Sequence, residues 1–237
     1  MEMNDVASYY ADIVMEAPHA FSTGRKSYSL YPVTLGKLML MQRLMEDMEI
    51  SGEGIAQWPI VEVIKTVMEH RNECLRLIAY ATAKDKGECF DVKRINGVLK
   101  ELGTSLTDED VATLMVLILT DDKTDKVKAH YGIDKETEAM SAVLRAKSQG
   151  GSMSFGGKTI LGALIDQACE RYGWTVEYVV WGISYSTLRL LMADKVNTIY
   201  LSDDERKKVP AHVLQRDEDV IKASRETMEQ IKAMSWK

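Results

Sequence analysis

With 237 residues, 46% hydrophobic and 28% charged, the chain can bury a sizeable core, and its composition excludes intrinsic disorder. A formal net charge of −6 argues against nucleic-acid binding by the molecule as a whole, because phosphate recognition rests on a basic surface. Three irregularly spaced cysteines build no disulfide framework, and the start MEMNDVASYY has neither the basic nor the apolar region of a signal peptide.

No apolar run approaches the roughly 20 residues of a membrane span. The expectation is a soluble, cytoplasmic protein with reduced thiols. The densest basic run, Arg206-Lys207-Lys208, directly follows Asp203-Asp204-Glu205 and reads as a solvated helix surface. Fourteen methionines against three phenylalanines suggest a core filled with flexible thioethers, a composition that also suits adaptable binding surfaces.

Taken in chain order, residues 1–26 predict a short helix or ordered arm. Ser27–Val33 alternates as a short extended segment, which Pro32 confines to a sheet edge or turn. Thr34 reads as the N-cap of a helix with Leu35, Leu38, Met39, Met41, Leu44, Met45 and Met48 at helical spacing, closed by Ser51-Gly52. A second helix is expected from Trp58-Pro59 to about Ala83, burying Val63, Ile64, Val67, Cys74, Leu75 and Ile78. After a break at Lys86-Gly87, a shorter helix carries Val92, Ile95, Leu99 and Leu102 on one face and stops at Gly103.

Thr107 and Asp110 resemble a capping box that opens a helix with Val111, Leu114, Met115 and Ile118. The polar stretch Thr120–Gly132 reads as a hinge, followed by a polar helix over Lys135–Lys147 and a flexible Gly150-Gly151-Ser152. Ile160, Leu161, Leu164, Ile165, Ala168 and Tyr172 predict a helix face ended by Gly173. Thr175 caps the next helix through Tyr178, Val179 and Ile183, which Gly182 bends or ends before Leu188, Leu190, Leu191 and Met192. Residues 217–237 read as a charged amphipathic helix. The expected fold is mainly α and bundle-like. Its parts are an N-terminal helical domain over 1–120 with the short β segment near 27–33, a polar linker with a helix over 121–155, and a C-terminal helical region over 156–237.

Several catalytic and ligand motifs fail on spacing. Gly156-Gly157-Lys158-Thr159 lacks both the upstream glycine and the feeding strand of a phosphate loop. Gly182-Ile183-Ser184-Tyr185-Ser186 has serine where a nucleophile elbow ends in glycine. His70 and Cys74 lie one helical turn apart, and Cys89 supplies a third sulfur or nitrogen ligand at most. Asp121, Asp122 and Asp125 are interrupted by Lys123 and Lys126, which a calcium loop does not tolerate. Asp166 and Glu170 are one turn apart, with Arg171 beside them. The expectation is that the protein is not an enzyme and uses no cofactor or metal.

The segment FGGKTILGALIDQACERYGWTVEYVVWGISYSTLRLLMAD, residues 155–194, resembles the C-terminal region of tail assembly chaperones, or related tail accessory proteins, of long-tailed phages and prophages. The pattern there is W-x-x-x-x-V-x-W-G-x-S-[YW] followed by an apolar helix ending in Ala-Asp. It is met here by Trp174, Val179, Trp181, Gly182, Ser184, Tyr185 and Ala193-Asp194. YSLYPVTLGKLMLMQRL, residues 28–44, is similar to the start of such proteins, and the two segments cover about a quarter of the chain.

What the resemblance implies is an interaction role without chemistry, in which the chain coats a helical, tape-measure-like protein until the tail tube forms. The host cell cytoplasm is the implied location, and a homo-oligomer is compatible with it. Trp174, Tyr178, Trp181, Tyr185 and Leu188 are the expected partner-binding cluster, with internal core as the competing role of each. The rival functions are a virion component such as a connector or tail completion protein, and an enzyme whose site lies around His70 and Asp121.

Overall fold

The structure, a computed structural model, describes residues 3–24, 26–120, 122–147 and 157–215. The 217–237 helix, the Gly150-Gly151-Ser152 connection and Asp121 lie outside these. The described residues form two compact units, one within Met1–His130 and Gly156–Met192, the other within Tyr131–Phe155 and Ala193–Lys237. Both are mainly helical. Among the described residues no helix is long and apolar enough to cross a membrane.

In the larger unit, helix α1 (Met3–Met15) leads into a hairpin of β1 (His19–Ser22) and β2 (Ser27–Leu30), antiparallel with Phe21 opposite Tyr28. The two rings stack at 5.5 Å. Only the second of these strands was expected. Helix α2 (Leu35–Asp47) starts where Thr34 accepts the Lys37 amide at 3.3 Å, as the sequence indicated.

Ser51-Gly52 does not simply close that helix. The chain turns at Glu49, in the left-handed region at φ 53°, and Ser51 then caps a new short helix, α3 (Gly52–Gln57). Serine accepts an amide proton as readily at a helix start as it punctuates an end, so the residue type alone does not distinguish the two.

Helix α4 (Pro59–Ala81) has proline in its first turn, where no amide is needed. It forms the spine of the unit, packing against α6 (Val92–Ser105) and α7 (Asp108–Thr120), with α2 and α3 also on it. Cys74, Leu75, Leu77 and Ile78 are buried there with Leu102, Val111 and Met115. His70 departs from helical geometry at φ −134°, ψ 42° and kinks the helix.

Ile64, expected in this core, is exposed, and so is Val92 on the apolar face of α6. Helical periodicity identifies an apolar face but not which of two apolar faces receives a neighbour. The break at Lys86-Gly87 is in fact the start of α5 (Lys86–Phe90), capped by Asp85. Gly103 does not stop α6, which runs to Ser105. A Cβ at position 103 would be in ordinary contact with Leu75, at 3.6 Å, so the helix passes close to α4 there.

Thr107 and Asp110 do form reciprocal bonds. The Thr107 amide donates to the Asp110 carboxylate at 2.9 Å, and the Asp110 amide donates to the Thr107 hydroxyl at 3.2 Å. The polar stretch that follows contains α8 (Thr124–Tyr131).

Helix α10 (Ile160–Tyr172) starts at the Thr159 cap and ends at Gly173, φ 66°, a conformation glycine adopts without strain. Its first residue, Ile160, is exposed. Thr175 accepts the Tyr178 amide at 3.1 Å. The backbone then widens into a π-helical turn over Tyr178–Gly182 before α11 (Tyr185–Ala193). Ala168, Val179, Ile183 and Leu188 are the buried centre of this region.

In the smaller unit, α9 (Ile133–Ala146) buries Ala146 with Val209 and Val213. The short α12 (Asp203–Arg206) is opened by a capping box between Ser202 and Glu205.

Candidate functional site

Residues 33–36 and 181–185, from segments distant in the chain, meet in the larger unit. The Tyr185 amide donates to the Val33 carbonyl at 2.8 Å, and Thr34 and Ser184 form an isolated antiparallel bridge. The Trp181 indole lies against Gly36, where a Cβ would stand 2.6 Å from Cε2 and Cζ2. Only a residue without a side chain permits that approach.

The end of α1 joins the same junction. Glu16, at φ 52°, offers its carboxylate to the Ser184 amide at 2.6 Å. Ser184 donates to the Thr187 hydroxyl at 2.7 Å, and Thr187 donates to the Ile13 carbonyl at 2.7 Å. These bonds satisfy backbone groups in the interior, which are expensive to leave unpaired.

Beside this junction a cavity of about 340 Å³ opens between α1, the end of β2, α2, the end of α7 and the start of α11. Leu30, Leu38, Met41, Met45, Leu117 and Ile118 give it an apolar wall. Asp12, His19, Asp122 and Lys123 supply polar groups to its lining, and Tyr9, Tyr31 and Tyr185 combine ring faces with hydroxyls.

The charged groups are partly locked. Arg189 pairs with Asp122 and, at 2.9 Å, with Asp125, while Lys123 lies 4.7 Å from the centre of the Tyr9 ring. Burial pushes the Asp122 carboxyl up. Thr124, whose amide is 3.0 Å away, and the Arg189 guanidinium outweigh it and hold the carboxyl below the usual range. Ser186 donates to Asp122 at 3.3 Å, so both serines of the Gly182–Ser186 motif have bonds within the fold.

A second polar feature lies beneath α2. Lys37 is only 1% exposed, and its Nζ has no hydrogen-bond partner. The ammonium lies 5.6 Å from the centre of the Tyr31 ring. Burial lowers its pKa to about 8, against smaller opposing effects of Cys89, Glu88 and Asp85. Arg94, which donates to the Thr82 carbonyl and pairs with Glu88, leaves Nη1 unpartnered in the same interior. A lysine between Gly36 and Leu38 on an amphipathic helix gives no sequence signal of burial.

The five residues of the expected partner-binding cluster occupy different environments. Trp174 stacks on Tyr172 at 4.4 Å and meets Tyr178 edge-on at 5.2 Å. The Tyr178 ring in turn covers Gly182, where a Cβ would lie 2.4 Å from Cδ2. Trp181 is held between Gly36 and Phe90, whose ring is 5.8 Å away, Leu188 is fully buried, and Tyr185 lines the cavity. The structure therefore brings Trp174 and Tyr178 together and places Tyr185 at the cavity.

Leu38, Met41 and Met45 were legible as a helix face. Their convergence with Tyr9, Leu117 and Asp122 depends on long-range packing. Cys74 is buried with Sγ 3.8 Å from Met48 Sδ, and burial raises its thiol to about 11. Cys89 is also buried and raised. Among the described residues no group of three or more His, Cys, Asp or Glu side chains could hold a metal ion.

What this arrangement can do is bind an apolar group inside a charged and hydroxylated margin. No family model matches the chain, and no curated protein or solved structure matches it.

Proposed function

We propose that the chain is a tail assembly protein of a long-tailed phage or prophage, which binds and solubilises a helical, tape-measure-like partner while the tail is built. The observation that carries this reading is the cavity of about 340 Å³ with Leu38, Met41 and Met45 on its α2 wall. Its volume is at the small end of the roughly 300–1,000 Å³ of small-molecule pockets, and suits a few apolar side chains projecting from one helix face. Thioether side chains adapt to successive segments of different shape, which a chaperone of a long partner requires. Asp12 and Asp122 in the lining and the chain's net charge of −6 supply polar contacts and mutual repulsion between coated complexes.

The resemblance of residues 28–44 and 155–194 supports the same role, because those two segments build the junction beside the cavity. The role is one of binding and needs no bond to be made or broken. It places the chain in the host cell cytoplasm during assembly.

The test is affinity purification of the tagged chain from cells producing its phage or prophage, with partners identified by mass spectrometry. Recovery of a very long, helix-rich protein at near-stoichiometric yield is the expected result. Recovery of tube, portal or connector proteins in its place, with the chain present in finished particles, would replace this reading with that of a virion component.

A further inference from the structure

We propose that α1 is a built-in stand-in for the partner helix, seated in the apolar groove of the free chain and displaced when the partner binds. The identity of the displacing helix rests on the function proposed above, whereas the seating of α1 rests on the fold alone. Tyr9, Asp12 and Ile13, at i, i+3 and i+4, line the cavity from α1. Leu38, Met41 and Met45 of α2, with Leu117 and Ile118 of α7, make its apolar wall. A helix thus already lies across this groove, which is the arrangement expected of a helical partner.

The seat is incomplete. The cavity of about 340 Å³ is space that α1 leaves unfilled, whereas close-packed interiors hold few voids larger than a water molecule. Among the described side chains of α1 only Val6 is buried. Asp12, in the middle of the cavity-lining stripe, is exposed and offers a carboxylate where an apolar group would gain more. A helix with larger apolar side chains at i, i+3 and i+4 fills the same wall better and competes with α1.

The joint between α1 and the rest of the unit is strained. The Ala17 amide donates to the Asp12 carbonyl at 3.3 Å and the Glu16 amide to the Ile13 carbonyl at 3.2 Å. This helix ending ordinarily carries glycine at its left-handed position, and here that position is Glu16, at φ 52°. The Glu16 Cβ makes the conformation costly. The Ser184 amide, donating to the Glu16 carboxylate at 2.6 Å, offsets that cost only while α1 is docked. Thr187, donating to the Ile13 carbonyl, and Lys123, over the Tyr9 ring, hold the same end of the helix. Release of α1 lets Glu16 relax, and the docked state covers an apolar surface until the partner arrives.

The test is hydrogen–deuterium exchange of the full chain, read by mass spectrometry, together with the fluorescence of N-phenylnaphthylamine as an uncharged apolar probe. In the wild type, α1 amides are expected to exchange faster than those of α4. Glu16→Ala, which keeps the strain and removes the bond, is expected to speed α1 exchange roughly tenfold and to raise probe binding, with α4 unchanged. Glu16→Gln, whose side-chain oxygen still accepts, is expected to resemble the wild type. Asp12→Leu, which fills the seat, is expected to slow α1 exchange and to reduce probe binding. Equal exchange of α1 and α4 in the wild type, or unchanged α1 exchange in Glu16→Ala or Asp12→Leu, would overturn the movable helix. No partner enters these measurements, so that failure would leave the proposed function standing. Where affinity purification recovers the helix-rich partner, Glu16→Ala is expected to raise its yield and Asp12→Leu to lower it, and equal yields would overturn displacement. Recovery of no such partner would overturn the proposed function and leave the movable α1 intact.

Discussion

Gly36 and Trp181, 145 positions apart in the chain, are in direct contact, and the contact leaves no room for a methyl group. A Cβ at position 36 would lie 2.6 Å from two carbons of the indole. Gly36→Ala is therefore expected to destabilise the fold by about 1–3 kcal/mol, despite the better helix propensity of alanine. Equilibrium denaturation in urea reads the loss. The same substitution in a Trp181→Leu background should cost markedly less, because the two positions share one space. An equal loss in both backgrounds would remove the indole as its cause.

Lys37 lies in the core without a hydrogen-bond partner, so replacing it with an apolar side chain of similar length should help the fold. Lys37→Met is expected to stabilise the protein at pH 7 by about 1–3 kcal/mol. The pH dependence has a definite sign. The folded pKa of about 8 lies below the ordinary 10.5, so between these values the unfolded chain holds a proton that the folded chain does not. The Lys37 contribution to stability thus rises with pH across that window and is flat below it. Tyr28, raised to about 12 by burial and by Glu101, opposes it only above pH 10. Denaturation between pH 7.5 and 9.5 should show the advantage of the variant shrinking as pH rises.

Asp122 gives a dependence of the same sign at the acid end of the range. Its carboxyl is held below the usual range, so its contribution is fully present above the ordinary carboxylate pKa and is lost as pH falls through the depressed one. Asp122→Asn should weaken the protein at pH 6, and the difference from wild type should shrink toward pH 2.5. Thermal melts of the two proteins at both pH values check this.

The Thr107–Asp110 cap is also testable in isolation. Thr107→Ala removes the hydroxyl that accepts the Asp110 amide and should cost about 1 kcal/mol, whereas Thr107→Ser should cost little. A difference between the two variants is the signature of the hydroxyl.

Much of the helical order was legible because its signals are local. Thr34, Pro59, Thr107, Gly173 and Thr175 mark helix ends by bonds or dihedrals confined to four or five residues. Ser51 misled because a hydroxyl serves equally at an end and at a beginning. The strand His19–Ser22 is four residues long and shows no alternation that could distinguish it from a loop. Ile64 was expected inside, and Val92 and Ile160 on apolar faces, yet all three are exposed, because periodicity reports an apolar face and not the presence of a neighbour.

The cavity was less legible than the helices that line it. Leu38, Met41 and Met45 were visible as a face, and Tyr185 was among the expected contact residues. Their meeting with Tyr9, Leu117 and Asp122 is set by packing between elements that are not neighbours in the chain. The burial of Lys37 was invisible for the same reason.

The claim that the cavity on α2 holds a helical partner in solution is tested most directly by co-expression. The tape-measure-like protein of the source phage or prophage would be produced alone, with the wild-type chain, and with Leu38→Arg, which introduces charge at the apolar wall. The account predicts that the partner is soluble with the wild type and moves to the pellet when alone or with the variant, the variant itself remaining folded by circular dichroism. A partner whose solubility is the same in all three cases would contradict it.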